Sequence, residues 1–321
     1  MRRPSKKQLL LAVLLAALFL FPVVYDNPYL ASVLIMANIY TVYVAAWDLL
    51  SGFTGQENFG FALFIGAGAY FVGMTTKYFG LVAPWWGIPA GGLAAAAVGL
   101  VIGIPCLRLK GPYLALATLA AAAIADRMAI ILNKYTGGED GIFGIEYLFG
   151  DPLADYYASL VFMLVCVAVL YAVGRSYLGL LLKAIRQDEN AAEASGVNAT
   201  FYKAAAFAVS AFFGGAAGAF NAHYLGYVGP DAVLASSISL NVIIMAIVGG
   251  TGNIVNAALG AFFLTVVADF LKGFGEYHLL IYTSLLILVL LFMPKGLFAT
   301  LLDRLDRPAA GQAGGKERSA S

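Results

Sequence analysis

Cysteine and histidine are scarce in this 321-residue chain, with two of each. Cys106 and Cys166 both sit in apolar runs, where a small buried thiol is the default, so no disulfide framework or thiolate metal cluster is implied. His223 and His278 lie far apart without metal-ligand spacing and are expected as interfacial side chains at outer span ends. Charge is also thin: 12% of residues against 61% hydrophobic, with a mean hydropathy of +0.85. A soluble domain of this length needs a far more charged surface, so the composition defines an all-α polytopic membrane protein. There is no GxxxxGK followed by Ser or Thr, which excludes P-loop nucleotide binding by this chain, and no hydrolase elbow or zincin motif. No catalytic residue, metal, cofactor or nucleic-acid partner is expected.

What is present is long apolar runs. About 20 residues are needed per span, and ten segments qualify: 9–24, 30–50, 59–76, 86–106, 113–132, 156–173, 201–222, 233–248, 254–271 and 278–293. The N-terminal MRRPSKK runs into the first of these without a small-x-small cleavage site, so it reads as a span entered from the cytoplasm rather than a removed signal. With ten spans, Arg2, Arg3, Lys6, Lys7, Arg108, Lys110, Arg175, Lys183, Arg186, Lys203, Lys295, Arg304, Arg307, Lys316 and Arg318 fall on one face. Lys77, Lys134 and Lys272 fall on the other, and Arg127 lies inside a span. The positive-inside rule then places both termini in the cytoplasm. The outer connection 133–155 is acidic, with Glu139, Asp140, Glu146, Asp151 and Asp155. Residues 1–302 form the transmembrane domain, and the polar tail 303–321, rich in Gly and Ala, has the composition of disorder.

Two stretches break the apolar pattern. SGFTGQENFGFALFIGAGAY at 51–70 carries Gly52, Gly55 and Gly60 around Thr54, Gln56, Glu57 and Asn58. GGTGNIVNAALGA at 249–261 carries Gly249, Gly250 and Gly252. Non-helical backbone at membrane depth survives only where protein or a water-filled cavity covers it, so the pair points to a translocation path or gate. Close helix packing through small residues explains such glycines equally well.

On the basic face the longest polar run is KAIRQDENAAEASGVNATFYK, residues 183–203, with the coupling segment at 183–200. Ala184, Ala191, Ala192 and Ala194 favour helix, Gly196 is a natural left-handed stop, and Asn198 is placed to cap a helix starting near Phe201. Its face of Ala and Ser suits a groove on another protein; a solvated connecting loop is the bland alternative. Ionisable residues inside spans are functional candidates by default, here Asp126, Arg127 and Asp269. Adjacent helical residues point about 100° apart, so Arg127 snorkels outward while Asp126 pairs elsewhere.

The ordered set of SGFTGQENFGFALFIGAGAY, RLKGPYLALATLA (108–120), TGGEDGI (136–142), GRSYLGLLLKAIRQDENAAEASGVN (174–198), KAAAFAVSAFFGGAAGAF (203–220), GGTGNIVNAALGA and FMPKGLF (292–298) resembles the branched-chain amino acid ABC permease family, LivM-type subunit. The resemblance spans about 30–297. It implies the membrane path of an ATP-driven importer in a bacterial or archaeal inner membrane. It also implies a second related permease subunit, two cytoplasmic ATP-binding subunits, an extracytoplasmic solute-binding protein and surrounding lipid. Such permeases carry an EAA-type cytoplasmic helix that docks in an ATPase cleft. Ala191, Ala192 and Gly196 match its spacing; Asn190 stands where the family name would put Glu, with Glu189 one residue earlier. The resemblance therefore implies coupling through Arg186, Asp188, Glu189, Ala191, Ala192, Ser195 and Gly196, and an outer contact or gate at Thr136, Gly137, Gly138 and Asp140. Branched-chain or other neutral amino acids are the implied cargo, with urea and short amides as the alternative. Rival classes are an ion-coupled transporter using Asp126, Asp269 or Glu57, and a membrane enzyme using Asp188, Glu189 and Glu193.

Overall fold

The computed structural model describes residues 16–21, 27–80, 82–107, 109, 111–293 and 296–306. The expectations for Arg2, Arg3, Lys6, Lys7, Arg108, Lys110, Lys295 and residues 307–321 lie outside them, as does most of the 9–24 run. The described chain is helical almost throughout. Its main elements are α1 (Pro28–Trp47), α2 (Phe61–Phe79), α3 (Pro84–Cys106), α4 (Pro112–Ile131), α5 (Pro152–Arg175), α6 (Tyr177–Gln187), α7 (Glu189–Ala194), α8 (Ala199–Leu225), α9 (Ser236–Gly249), α10 (Ile254–Leu271), α11 (His278–Phe292) and α12 (Leu297–Asp306).

The starts of these helices follow local chemistry. Proline, whose missing N–H is no loss in a first turn, opens α1, α3, α4 and α5. Asn27, Asp151, Asn198 and Asn253 each accept a hydrogen bond from a backbone N–H two or three residues on, satisfying donors that a helix leaves orphaned.

Against the ten spans expected, seven helical stretches among the described residues are long and apolar enough to cross a membrane: Pro28–Gly52, Pro84–Cys106, Pro112–Ile131, Pro152–Arg175, Ala199–Leu225, Pro230–Gly249 and Ile254–Gly275. The 19-residue α2 and the shorter apolar Leu280–Val289 stand beside them. Burial divides the set. The span containing α8 is 67% buried and that containing α1 is 61%, whereas α4 is 22%. The first two are therefore central, and α4 presents most of its apolar surface to lipid or a partner.

The α3–α8 seam explains much of that burial. Gly87, Gly91, Ala95, Gly99 and Gly103 recur every fourth residue on α3. They meet His223, Ala219, Gly215, Ala211 and Phe207 on α8 in reverse order, so that a Cβ at any of the glycines would collide with the opposing helix. Small residues along an i±4 ridge let two backbones approach closely, the main source of helix association where lipid is as apolar as leucine. On the other flank of α8, Gly215 and Gly68 of α2 meet backbone to backbone.

At one end of the bundle, β1 (Ile142–Phe143) pairs antiparallel with β2 (Tyr227–Val228). Lys77 Nζ donates to the Lys134 carbonyl at 3.1 Å, and the Phe149 N–H donates to Asp155 Oδ1, so the acidic connection is a folded cap. His223 is buried beneath it with Nδ1 2.7 Å from the Glu146 carbonyl, not at an interface as expected; Gly87 leaves room for its ring. His278 is exposed. Cys106 and Cys166 are free, half-buried and buried respectively.

Candidate functional site

The opposite end gathers three separately expected segments around a residue that sequence reasoning passed over. Past Trp47, α1 widens into a π-helical turn, Asp48–Gly52, a distortion that recurs at functional sites. It carries Asp48, whose exposure is 0%. A buried carboxylate is expensive unless its lone pairs are met. Oδ1 accepts the Gly252 N–H at 2.7 Å, and Arg186 and Lys183 supply compensating positive charge. Any Cβ at Gly52 would strike this carboxylate and the Gly252 nitrogen.

Arg186, near the end of α6, donates from Nη1 to the Gly52 carbonyl, while its stem lies along Gly55. Gly55 and Gly252 have φ of +73° and +83°, conformations that only glycine adopts freely. Lys183 sits over the Phe53 ring at 4.5 Å. The 51–60 and 249–252 stretches and the start of the polar 183–200 stretch therefore form one junction.

Between Gly55 and Gly60 the backbone is non-helical, and although Gly55 and Glu57 are exposed, side chains meet four of its N–H groups. Asn58 N–H donates to Ser51 Oγ, Gly60 N–H to Asn58 Oδ1, Gln56 N–H to Thr54 Oγ1 and Phe59 N–H to Thr118 Oγ1 of α4. Gly249 serves differently, allowing close contact with Gly260 of α10, and Gly250 accommodates Gly296.

The polar stretch 183–200 is broken into two helices rather than one. Asp188 is extended (φ −156°, ψ 107°) and its Oδ1 accepts from Ala191 N–H at 3.0 Å, capping α7. Capping stabilises the break because aspartate competes for backbone donors better outside a helix than within it. Gly196 ends α7 with φ +85° and Asn198 caps α8 through the Phe201 N–H, both as expected.

Glu189 binds Lys203 of α8 at 2.6 Å, and Lys203 is only 2% exposed. That ion pair fixes α7 to the central helix. Ala192 turns inward, packing with Ile185 and Ala199, whereas Asn190, Ala191, Glu193, Ala194 and Ser195 are exposed. The small-residue surface is thus centred on Ala191 and Ala194, not on Ala192.

At the cap, Thr136 is buried and its hydroxyl donates to the Ala129 carbonyl at 2.5 Å. A Cβ at Gly137 would strike the Gly141 carbonyl, and Gly138 turns on Thr136 Oγ1; Asp140 is the exposed member of this group. The Arg127 side chain is 76% exposed, but Asp126, partly buried, does not pair elsewhere as expected: its Oδ2 lies 4.0 Å from Arg127 Nε, because both side chains are long enough to bridge the angle between adjacent helical positions. Glu57 is exposed, and Asp126 and Asp269 have separate partners, so these carboxylates are not brought into one site. No group of three metal-binding side chains occurs among the described residues.

The apolar spans and small-residue seam define a multi-pass membrane protein. Residues 29–292 match the family described as branched-chain amino acid transport system / permease component, and the chain belongs to that family. It is 29% identical over 311 residues to the high-affinity branched-chain amino acid transport system permease protein LivM of Salmonella typhimurium strain LT2, covering 88% of this chain and 72% of that one. It is also 29% identical over 291 residues to the LivM permease of Escherichia coli K12, covering 82% and 68%. No solved structure matches significantly.

Proposed function

We propose that this chain is the membrane-spanning permease subunit of an ATP-driven importer of branched-chain or other neutral amino acids in a bacterial or archaeal inner membrane. Two cytoplasmic ATPase subunits, a related second permease and an extracytoplasmic binding protein complete it. The seven long spans, α2, the Leu280–Val289 helix and the apolar 9–24 run make ten crossings, and an even number returns both termini to the cytoplasm.

The observation that carries the mechanism is the Arg186–Gly52–Asp48–Gly252 contact chain. α7 offers Ala191 and Ala194 to an ATPase cleft. Its displacement passes through Arg186 to the end of α1 and the 249–253 loop, and through Lys203 to α8. Closure of the ATPases on nucleotide swings these helices and exchanges access between the two sides. The coupling requires α7 to bind the ATPases with different free energy in the two states, since an equal contact moves nothing. Thr136, Gly137 and Gly138 shape the cap on which the binding protein releases its solute, with Asp140 on the contact surface.

Reconstituting the chain with the other subunits in liposomes tests this reading. L-leucine uptake is expected only with ATP and binding protein, outcompeted by valine or isoleucine and not by urea or acetamide. Uptake by the isolated chain, or uptake driven by an ion gradient after ATP is removed, sinks it.

A further inference from the structure

About 410 Å³ of cavity opens between α1, α9, α10 and α11, at the end of α1 away from Asp48. Tyr29 at its rim and Asp48 are separated by roughly 30 Å of helix, a full hydrocarbon thickness. We infer that this cavity receives the zwitterionic head of a free α-amino acid, with Asp269 taking the ammonium and Lys272 the carboxylate. The inference rests on the amino-acid reading above and assigns a contact point on this chain.

Asp269 and Lys272 stand one turn apart at the rim, with Nζ 2.8 Å from Oδ1, and the Tyr29 hydroxyl donates to Oδ2 at 2.6 Å. Each keeps spare capacity. A carboxylate oxygen accepts more than one hydrogen bond, Lys272 has two further donors, and the Tyr29 oxygen is free to accept. An amino-acid head group inserted here makes charge-assisted bonds of the kind the pair already makes, so the three rim groups are satisfied both empty and filled. A lone ammonium or a lone carboxylate matches only half of it.

Below the rim the wall turns apolar with Met36 and Met245. Unbranched thioethers adapt to branched aliphatic side chains of different shape. Tyr282 also lines the cavity, and its buried hydroxyl has no hydrogen-bond partner among the described residues. Buried polar atoms are rarely left unmet, and a ligand in the cavity supplies the missing partner. A simple surface ion pair would need neither the cavity nor this hydroxyl.

The test uses the full transporter complex in proteoliposomes, with Cys106→Ala, Cys166→Ala and the reporter Ser32→Cys on the cavity wall. L-leucine is the probe, and isoamylamine and isocaproate are the half-matched controls. L-leucine should slow maleimide labelling of S32C, and neither control should. Asp269→Asn and the exposed Lys272→Gln should each raise the leucine concentration needed for protection by about tenfold or more. Lys272→Gln should also narrow the advantage of leucine over isoamylamine, a change that a structural role would not produce. Absence of leucine protection, equal protection by the controls, or protection indifferent to both charge changes overturns the site. If the same vesicles still accumulate leucine with ATP, the proposed function survives that failure. If they accumulate none, the function and this site fall together.

Discussion

Glycine is put to two uses in this molecule. In the α3–α8 seam it recurs every fourth residue inside unbroken helices, and its role is thickness: two backbones meet because nothing stands between them. At the Asp48 junction, Gly55 and Gly252 lie outside helices at positive φ, and Gly52 clears space for a buried carboxylate. Helix packing and broken backbone, which the sequence leaves as equal explanations, both apply, in different stretches. The seam holds the bundle together. The junction connects it to the one short helix that projects Ala191 and Ala194 to solvent.

Substitutions separate the two uses. Gly215→Val places a side chain against Ala95 and the Gly91 carbonyl. It should destabilise the bundle by about 3 kcal/mol or more, read as lost folded yield or a lowered Tm in detergent. An unchanged Tm would show the seam to be slack. Asp48→Ala leaves the Gly252 N–H buried and unpaired, a loss of about 1–3 kcal/mol. Its larger signature should be ATP hydrolysis that continues while leucine uptake fails, and parallel loss of both would count against a coupling role.

Arg186→Ala should reproduce that uncoupling at a cost of about 1–3 kcal/mol, because it removes the donor to the Gly52 carbonyl and a positive charge beside buried Asp48. Ala191→Trp should block co-purification of the ATPase with the fold intact, whereas Ala192→Trp should damage the α6–α7–α8 packing itself. Equal effects from the two would remove the assignment of the outward face. The smallest effect belongs to Gly196, which has open space around it and needs only its positive φ. Gly196→Ala should cost about 1 kcal/mol and Gly196→Asn less, since asparagine tolerates the left-handed region; hydrogen exchange across α7 would read the difference.

Local chemistry was legible in the sequence, and long-range partnership was not. Asn198 announced a helix start, Gly196 announced a stop, and seven of the ten apolar runs coincide with the long spans among the described residues. Asp48 escaped notice because it sits at the end of an apolar run, and its partners Gly252 and Arg186 are far away in the chain. The buried state of Lys203 was equally hidden, since a lysine following a polar loop reads as solvated until Glu189 is found against it. The break at Asp188 was within reach: an aspartate three residues before Ala191 in a small-residue run is a capping signal. The inward turn of Ala192 needed the packing of α8, which no spacing rule supplies.

One consequence concerns α8. It is fastened near its start by the Glu189–Lys203 pair and just past its end by the ladder between β1 and β2. The whole helix runs 27 residues without a break, a rod roughly 40 Å long. In the proposed mechanism, a push on α7 would reach the far face as tilt and torque rather than be absorbed by bending. The strand pair, only two residues on each side, would then be the fulcrum about which that lever turns.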